Sequence, residues 1–489
     1  MVNGEVIKGL QPELAWKHLA KIAEIPRGSG NEEGARAYVL SIAEKCGLQS
    51  KIDTVGNLLV KKPATVGHEN APSIALQGHL DMVCEKNADV VHDFLKDPIR
   101  FVRNGDIIKA NGTTAGFDNG IAVAVMCAIM EETTLAHGLL EMLFTIDEET
   151  GLTGANGLEK GFLESKTLIN LDCEKDKILY IGCAGGQTMT GTKMIAKNTV
   201  PSDVVACYLK ISGLKSGHSG VDIHKDHPNA IKVFARIFSS LALIGASLSS
   251  VIIGNKHNVI PQKGKVTFFL PKNKVEEARA IVQKWEKTIK KEYGRKSGKF
   301  YFHFGTFKNY RLKNKALVNV VEQNNLLEVL HSLPHGIHKM STAMSDLVET
   351  SNNLASIKIS GGKISILLSN RSSSKSGMED ICIKVKSVLQ LGQFSIKEFS
   401  GYPGWNPDTN SPILKHGKMI YEQLFEKKPS IKAIHAGLEC GVIGGKYPEM
   451  DMLSIGPKID SPHTPDERMK ISTVPKFWEF LTTLLADIK

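Results

Sequence analysis

Two histidines and a set of carboxylates stand where apolar runs of this 489-residue chain end. Residues 73–77 lead into Gly78-His79-Leu80-Asp81, and 113–117 into Asp118-Asn119-Gly120. Residues 139–146 lead into Asp147-Glu148-Glu149, 168–171 into Asp172, and 453–457 into a loop that holds Pro462-His463-Thr464-Pro465. Acids that recur at strand ends suggest one shared site, because ligands of open α/β sheets bind beyond the carboxyl ends of the strands. Imidazole and carboxylate donors converging there are the ingredients of a two-metal hydrolase.

Taken singly, each residue has a plainer use. Asp118 precedes an apolar helical stretch at 121–132 and could simply cap it. Glu148-Glu149 could be a solvated turn, yet adjacent acids repel unless a cation sits beside them. If one of the pair holds a metal, the other can serve as general base. Asp81 lies two residues from His79 and could fix its tautomer. Asp172 closes a buried-looking strand and needs a partner there. Gly217-His218-Ser219-Gly220 is one residue short of a nucleophile elbow, so a serine hydrolase is disfavoured.

These residues need elements to position them. Alternation of helix (14–25, 31–47, 121–132, 152–163) with strand (52–60, 73–77, 139–146, 168–171) predicts a mostly parallel sheet flanked by helices. Beyond Gly185-Gly186 the pattern changes to strands at 204–212 and 263–270, helices at 229–244, 275–291, 317–333 and 376–391, and a hairpin at 355–368. The α/β pattern resumes after Gly401-Tyr402-Pro403-Gly404-Trp405, with strands near 432–435 and 452–455 and a last helix at 474–488. The expected organisation is therefore a catalytic domain, 1–186 and 399–489, interrupted by an inserted α+β domain at 187–398. His463 can join the early acids only if both flanks form one domain.

Composition is that of a globular protein, with 42% hydrophobic and 23% charged residues. The formal charge of +10 gathers partly at 287–299, on a helix face without the interleaved aromatics that nucleic-acid binding would want. No nucleic-acid partner is expected, and no membrane partner, since no apolar run approaches spanning length. The N-terminus lacks a secretory h-region and the eight cysteines show no CxxC pairing, which fits reduced thiols and a cytoplasmic location.

The chain resembles the co-catalytic zinc peptidases that include carboxypeptidase G, succinyl-diaminopimelate desuccinylase and carnosinase, and within them the aminoacyl-histidine (Xaa-His) dipeptidases. The resemblance rests on Gln77-Gly78-His79-Leu80-Asp81-Met82-Val83, Gly116-Phe117-Asp118-Asn119-Gly120, Glu148-Glu149-Thr150-Gly151 and Gly217-His218-Ser219-Gly220, and on His435-Ala436-Gly437-Leu438-Glu439-Cys440-Gly441 and Pro462-His463-Thr464-Pro465-Asp466-Glu467. It implies that Asp118 bridges two Zn2+ (Co2+ or Mn2+ as substitutes), that His79 and Asp172 complete one ion, and that Glu149 and His463 complete the other. Asp81 would orient His79, and Glu148 would be the general base for a hydroxide that attacks the peptide bond. His218 would hold the oxyanion, with Asn258 and Arg371 binding the substrate's carboxylate end. The Ser-rich stretch 369–376 departs from the family's pattern around Arg371. The implied activity is hydrolysis of Xaa-His dipeptides, including β-alanyl-histidine, in a homodimer whose inserted domain is lid and dimer contact. A related amidohydrolase or deacylase of N-acyl amino acids is the alternative.

Overall fold

The computed structural model describes residues 2–307 and 316–489. In chain order the elements used below are α1 (Glu13–Ile22), α2 (Glu33–Lys45), β1 (Gln49–Ile52), β2 (Leu58–Lys62), β3 (Ile74–His79), α3 (Phe117–Glu131), β4 (Leu140–Thr145), β5 (Thr167–Asn170) and β6 (Ile178–Cys183). Then come β7 (Gly185–Met194), β8 (Val204–Ser212), α4 (Ala230–Ala242), β9 (Ser247–Ile253), β10 (Gly264–Pro271), α5 (Val275–Tyr293), β11 (Tyr301–Thr306), α6 (Val320–Ser332), β12 (Val348–Ser360), β13 (Lys363–Ser372), α7 (Lys375–Leu391) and β14 (Ser395–Glu398). The chain closes with α8 (Pro412–Phe425), β15 (Ser430–Ile434), α9 (Glu439–Lys446), β16 (Asp451–Ser454) and α10 (Val474–Asp487).

Two compact units result. One comprises Met1–Cys183, Trp405–Ala433 and Leu438–Lys489, the other Ala184–Gly404 and Ile434–Gly437. The second unit thus takes a few residues more at each flank than 187–398, and it reclaims the tetrapeptide Ile434–Gly437 from the returning chain.

The first unit is built on a sheet ordered β1-β2-β4-β3-β5-β16-β6-β15. Its centre, β4-β3-β5-β16, is parallel, while β1, β2 and β6 are antiparallel. Every residue of β3 and β4 is buried, as expected of parallel strands covered on both faces. Helix α3 is buried along almost its whole length, so its apolar character has no polar face to break it.

Two expected helices differ in the structure. Asp118 caps nothing: it and Asn119 have non-helical backbone inside the start of α3, and the N-cap position is Gly116, which has no side chain. Residues 152–163 do not form one helix. Short helices Glu148–Gly151 and Thr153–Gly157 are separated by Leu152 at φ 53°, and the chain beyond them is irregular. Glycines at 151, 154, 157 and 161 weaken helix there. A Cβ at Gly154 would also lie 2.6 Å from the Ile146 backbone nitrogen, so this segment is held against the end of β4.

The second unit is a sheet of antiparallel strands, β11-β8-β10-β9-β12-β13-β7-β14. Helices α4, α5, α6 and α7 contribute to one apolar core with one face of it, including Phe234, Phe238, Phe268, Leu330, Ile366 and Val385. The sheet runs continuously through its middle, where β9 pairs with β12 at Val251↔Ile359 and Ile253↔Ile357. Among the described residues no helix is long and apolar enough to cross a membrane.

Candidate metal centre

The central strands of the first unit end together. β3 ends on His79, β4 leads into Glu148-Glu149, β5 into Asp172, and β16 into the loop bearing His463. Asp118 enters from the start of α3. Three groupings that could hold a metal form among these residues, with candidate ligand atoms within 4.8 Å of one another: His79-Asp118-Asp172, Asp118-Glu149-His463 and His79-Glu148-Glu149. A fourth grouping joins Glu32, Asp81 and Asp147. Glu148 and His463, far apart in sequence, lie in the same unit.

Asp118 divides its carboxylate between two imidazoles. Its Oδ1 lies 3.1 Å from His79 Nε2 and its Oδ2 3.0 Å from His463 Nε2. Asp172 Oδ1 is 3.8 Å from His79 Nε2, and Glu149 Oε2 is 3.1 Å from His463 Nε2. His79 turns its other nitrogen to Asp81, Nδ1 to Oδ1 at 3.2 Å. Asp81 also accepts from Ser29 Oγ at 2.7 Å and from the backbone N–H groups of Glu148 and Glu149 at 3.0 and 3.2 Å. One carboxylate therefore aligns both His79 and the Glu148-Glu149 turn.

The site carries more negative charge than the protein neutralises. Burial pushes Glu148 well above the usual carboxylate range, and Glu149, Glu439 and Asp118 add to the rise. Burial and then Asp118 do the same to Asp172. Asp81 and Asp118 go the other way. Burial opposes their ionisation, but hydrogen bonds to His79, and for Asp118 also to His463, hold both well below their ordinary value. The histidines respond in kind. Burial would lower His463, yet Asp118 and Glu149 push it up to about 11. Burial likewise opposes charge on His79, and Asp118, Asp172 and Asp81 raise it well above its ordinary value. Without a metal the same acids favour the cationic imidazoles, a positive charge that divalent ions would supply instead. Glu149 Oε1 is buried with no hydrogen-bond partner. Donor set, charge and this orphaned oxygen all fit a pair of divalent cations.

Residues without an expected role hold the scaffold. Glu467 accepts four backbone N–H groups, from Ala115, Gly116, Phe117 and Asp118, at 2.7, 2.9, 2.8 and 3.2 Å. Buried Arg27 donates to the carbonyls of Leu80, Asp81 and Gly116. Asn119 accepts from the His79 N–H at 3.2 Å and donates to the Leu171 carbonyl at 3.1 Å. Glu439 receives Gln77 and Thr145 at 2.6 and 2.7 Å, and burial lifts it to about 7. Glu174 was missed in the sequence although it stands two residues beyond Asp172. Burial and Asp118 push it up to about 8. The only signal in the sequence was the two-residue spacing, which returns an extended chain to the same face.

His218, Asn258 and Arg371 belong to the second unit, which brings them together. His218 pairs with Val259 in a β-bridge, and Ser219 N–H donates to the Asn258 carbonyl at 2.8 Å. A Cβ on Gly220 would meet both His218 Cε1 and Arg371 Nε, at 3.2 and 3.3 Å. His218 Nδ1 accepts from the N–H groups of Gly220 and Val221 at 3.2 and 3.1 Å. In the neutral ring this assigns the proton to Nε2. Arg371 is buried, with Nη1 3.2 Å from Tyr402 Oη and Nε unpartnered.

Residues 75–487 match the model of peptidase family M20/M25/M40. The chain belongs to this family. It is 37% identical over 480 residues to the cytosol non-specific dipeptidase of Escherichia coli, covering 98% of each chain. The crystal structure of aminoacylhistidine dipeptidase from Vibrio alginolyticus superimposes with a TM-score of 0.89 at 36% identity, over 99% of this chain and 98% of that one. A Staphylococcus aureus tripeptidase shares the fold at TM-score 0.57 and 13% identity, over 98% and 99% of the two chains. Membership makes the chain a metallopeptidase, with the mixed α/β sheets and helices of that family.

Proposed function

We propose that this chain is a cytoplasmic dipeptidase that uses two Zn2+ and has Xaa-His dipeptides, β-alanyl-histidine among them, as leading substrates. The observation that carries the proposal is the Asp118 carboxylate, split between His79 and His463, each with a further acid beside it. In this proposal His79, Asp118 and Asp172 hold one ion, and Asp118, Glu149 and His463 the other. Co2+ or Mn2+ would suit the same nitrogen and oxygen donors. When bound, such a pair polarises the scissile carbonyl and makes water acidic enough to react near neutral pH.

The chain's own residues then do the following. Glu148 takes the proton of the attacking water and returns it to the departing amine. The charged carboxylate does this, and bound cations would favour that form against the burial and neighbouring acids that raise Glu148. Asp81 keeps His79 in the tautomer that presents Nε2. His218, with its proton on Nε2, donates to the developing oxyanion. Arg371, buried without an acidic partner among the described residues, forks to the dipeptide carboxylate with Asn258 beside it. The second unit serves as lid and as the contact of a homodimer. Breadth of substrate is supported by the E. coli relative, named as non-specific.

Metal analysis joined to a dipeptide screen tests this. We expect about two ions per chain. Glu148→Gln should keep them while kcat falls by roughly 10²–10⁴-fold. Undiminished turnover in that variant, or in metal-stripped enzyme, overturns the mechanism. Cleavage of N-acyl amino acids with dipeptides left intact would move the substrate class to the deacylases.

A further inference from the structure

The second unit has a concavity of about 720 Å³. It lies on the face of β8, β9 and β10 opposite the one that meets the helices. Along β8, Cys207, Leu209 and Ile211 enter the helix-covered core, so Tyr208 and Lys210 point the other way by strand alternation. On β9, Val251 and Ile253 are buried while Ile252 between them is 56% exposed. This is an apolar side chain left on an uncovered sheet face.

Four lysines line the concavity, Lys210, Lys256, Lys263 and Lys265, and among the described residues no acid does. Among the described residues none of the four makes an ion pair. Lys210 and Lys265 are cross-strand partners in the β8–β10 register. Side chains paired in this way stand about 5 Å apart at Cβ, and like charges so placed destabilise a sheet. The fold therefore keeps a repulsive pair over an apolar floor that includes Ile252, Val259 and Pro261. An anion resting between the lysines would turn that repulsion into attraction. Tyr208 and Phe307 add aromatic surface. A volume of this size suits a small organic molecule.

We propose that this concavity binds a small amphipathic anion, an apolar or aromatic body carrying one acidic group. The acidic group sits between Lys210 and Lys265, and the body lies on Ile252 and Val259. The site adjoins the turn that carries Asn258, and Val259 itself bridges to His218. Occupancy should therefore steady that segment's hydrogen bonds, Ser219 N–H to the Asn258 carbonyl at 2.8 Å and Ile260 N–H to the Gly217 carbonyl at 3.0 Å.

The test uses the full chain with its metals and 8-anilinonaphthalene-1-sulfonate as probe, with dodecanoate competing against dodecanol. We expect saturable binding of one probe per chain, displaced by dodecanoate and not by dodecanol. Lys210→Glu with Lys265→Glu should weaken it about tenfold or more, since two charge-assisted contacts are lost. The neutral pair Lys210→Gln and Lys265→Gln should weaken it by less. Both double variants should retain dipeptide turnover, the charge-reversed one at the wild-type melting temperature and the neutral one at or above it, since it removes the like-charge pair. Hydrogen exchange at Ser219 and Ile260 should slow when the probe binds. Unchanged binding in the charge-reversed variant overturns the proposal, as does slowing confined to other amides. It also falls if the charge-reversed variant loses a self-association that wild type shows, with no probe bound by either, because a second copy of the chain then covers this face.

Discussion

Asp81 shows how one residue can govern a site it does not line. Its two oxygens serve His79, Ser29 and the amides of Glu148 and Glu149. Asp81→Asn keeps the shape and removes the charge, and its amide can present N–H where an acceptor is required. His79 then loses the partner that fixes its tautomer, and the Glu148-Glu149 turn loses an acceptor. Removal of such a supporting partner typically costs about 10–100-fold in metal affinity. Competition against a chelator should show that loss, with the fold retained by circular dichroism. Affinity equal to wild type would remove Asp81 from this role. At this scale the sequence was informative where a residue type had few other uses. Glu148-Glu149 could be singled out because paired acids at a strand end need a cation. Arg27 and Glu467 could not, because their partners are backbone groups of chain segments distant in sequence. A single sequence does not display such contacts.

Elements deliver the proposed ligands, and their closeness of packing leaves little room. Gly78 precedes His79 on β3 and lies against α3. A Cβ there would meet Asn119 Oδ1 and would stand 2.7 Å from Ala122 Cβ. Gly78→Ala must push α3 and β3 apart, and overpacking of this kind costs about 1–3 kcal/mol. The same shift moves Asp118 away from His79. We expect a lower melting temperature and weaker metal binding together, measured by calorimetry and by chelator competition. A variant with wild-type values of both would show that the helix yields without cost. The strands that end at His79, Glu148 and Asp172 were legible because strands buried on both faces read as apolar runs closed by a polar residue. The antiparallel flanks of that sheet were not, since the direction of pairing leaves no mark on a short strand. The segment after Glu149 was misjudged for a different reason: its apolar spacing suggested a helix, and its glycines and its contact with the end of β4 decided against one.

For the molecule as a whole, the unbalanced acids of the first unit tie stability to metal and pH together. In the metal-free protein His463 has a folded pKa of about 11 against an unfolded value near 6.5. The sign follows from linkage. The imidazolium contributes its stabilisation in full below about 6.5 and loses it as pH rises through about 11. In the proposed site a metal ion would take the neutral His463 imidazole, so binding would displace the proton that the acids hold there. Metal affinity should accordingly rise by roughly tenfold per pH unit for each proton displaced. Chelation should abolish turnover and lower the melting temperature at neutral pH. The stabilisation by metal should be about 2.7 kcal/mol for each ion when free metal is 100 times its dissociation constant. The gap between metal-loaded and metal-free melting temperatures should widen from pH 6 to pH 8 at fixed free metal, because tighter binding adds to it. Calorimetry in two buffers of different ionisation enthalpy should report proton release on metal binding. A gap that is flat or narrows with pH, with no protons released, would mean that His463 is already neutral without metal and that the acids of this site are balanced by some other group.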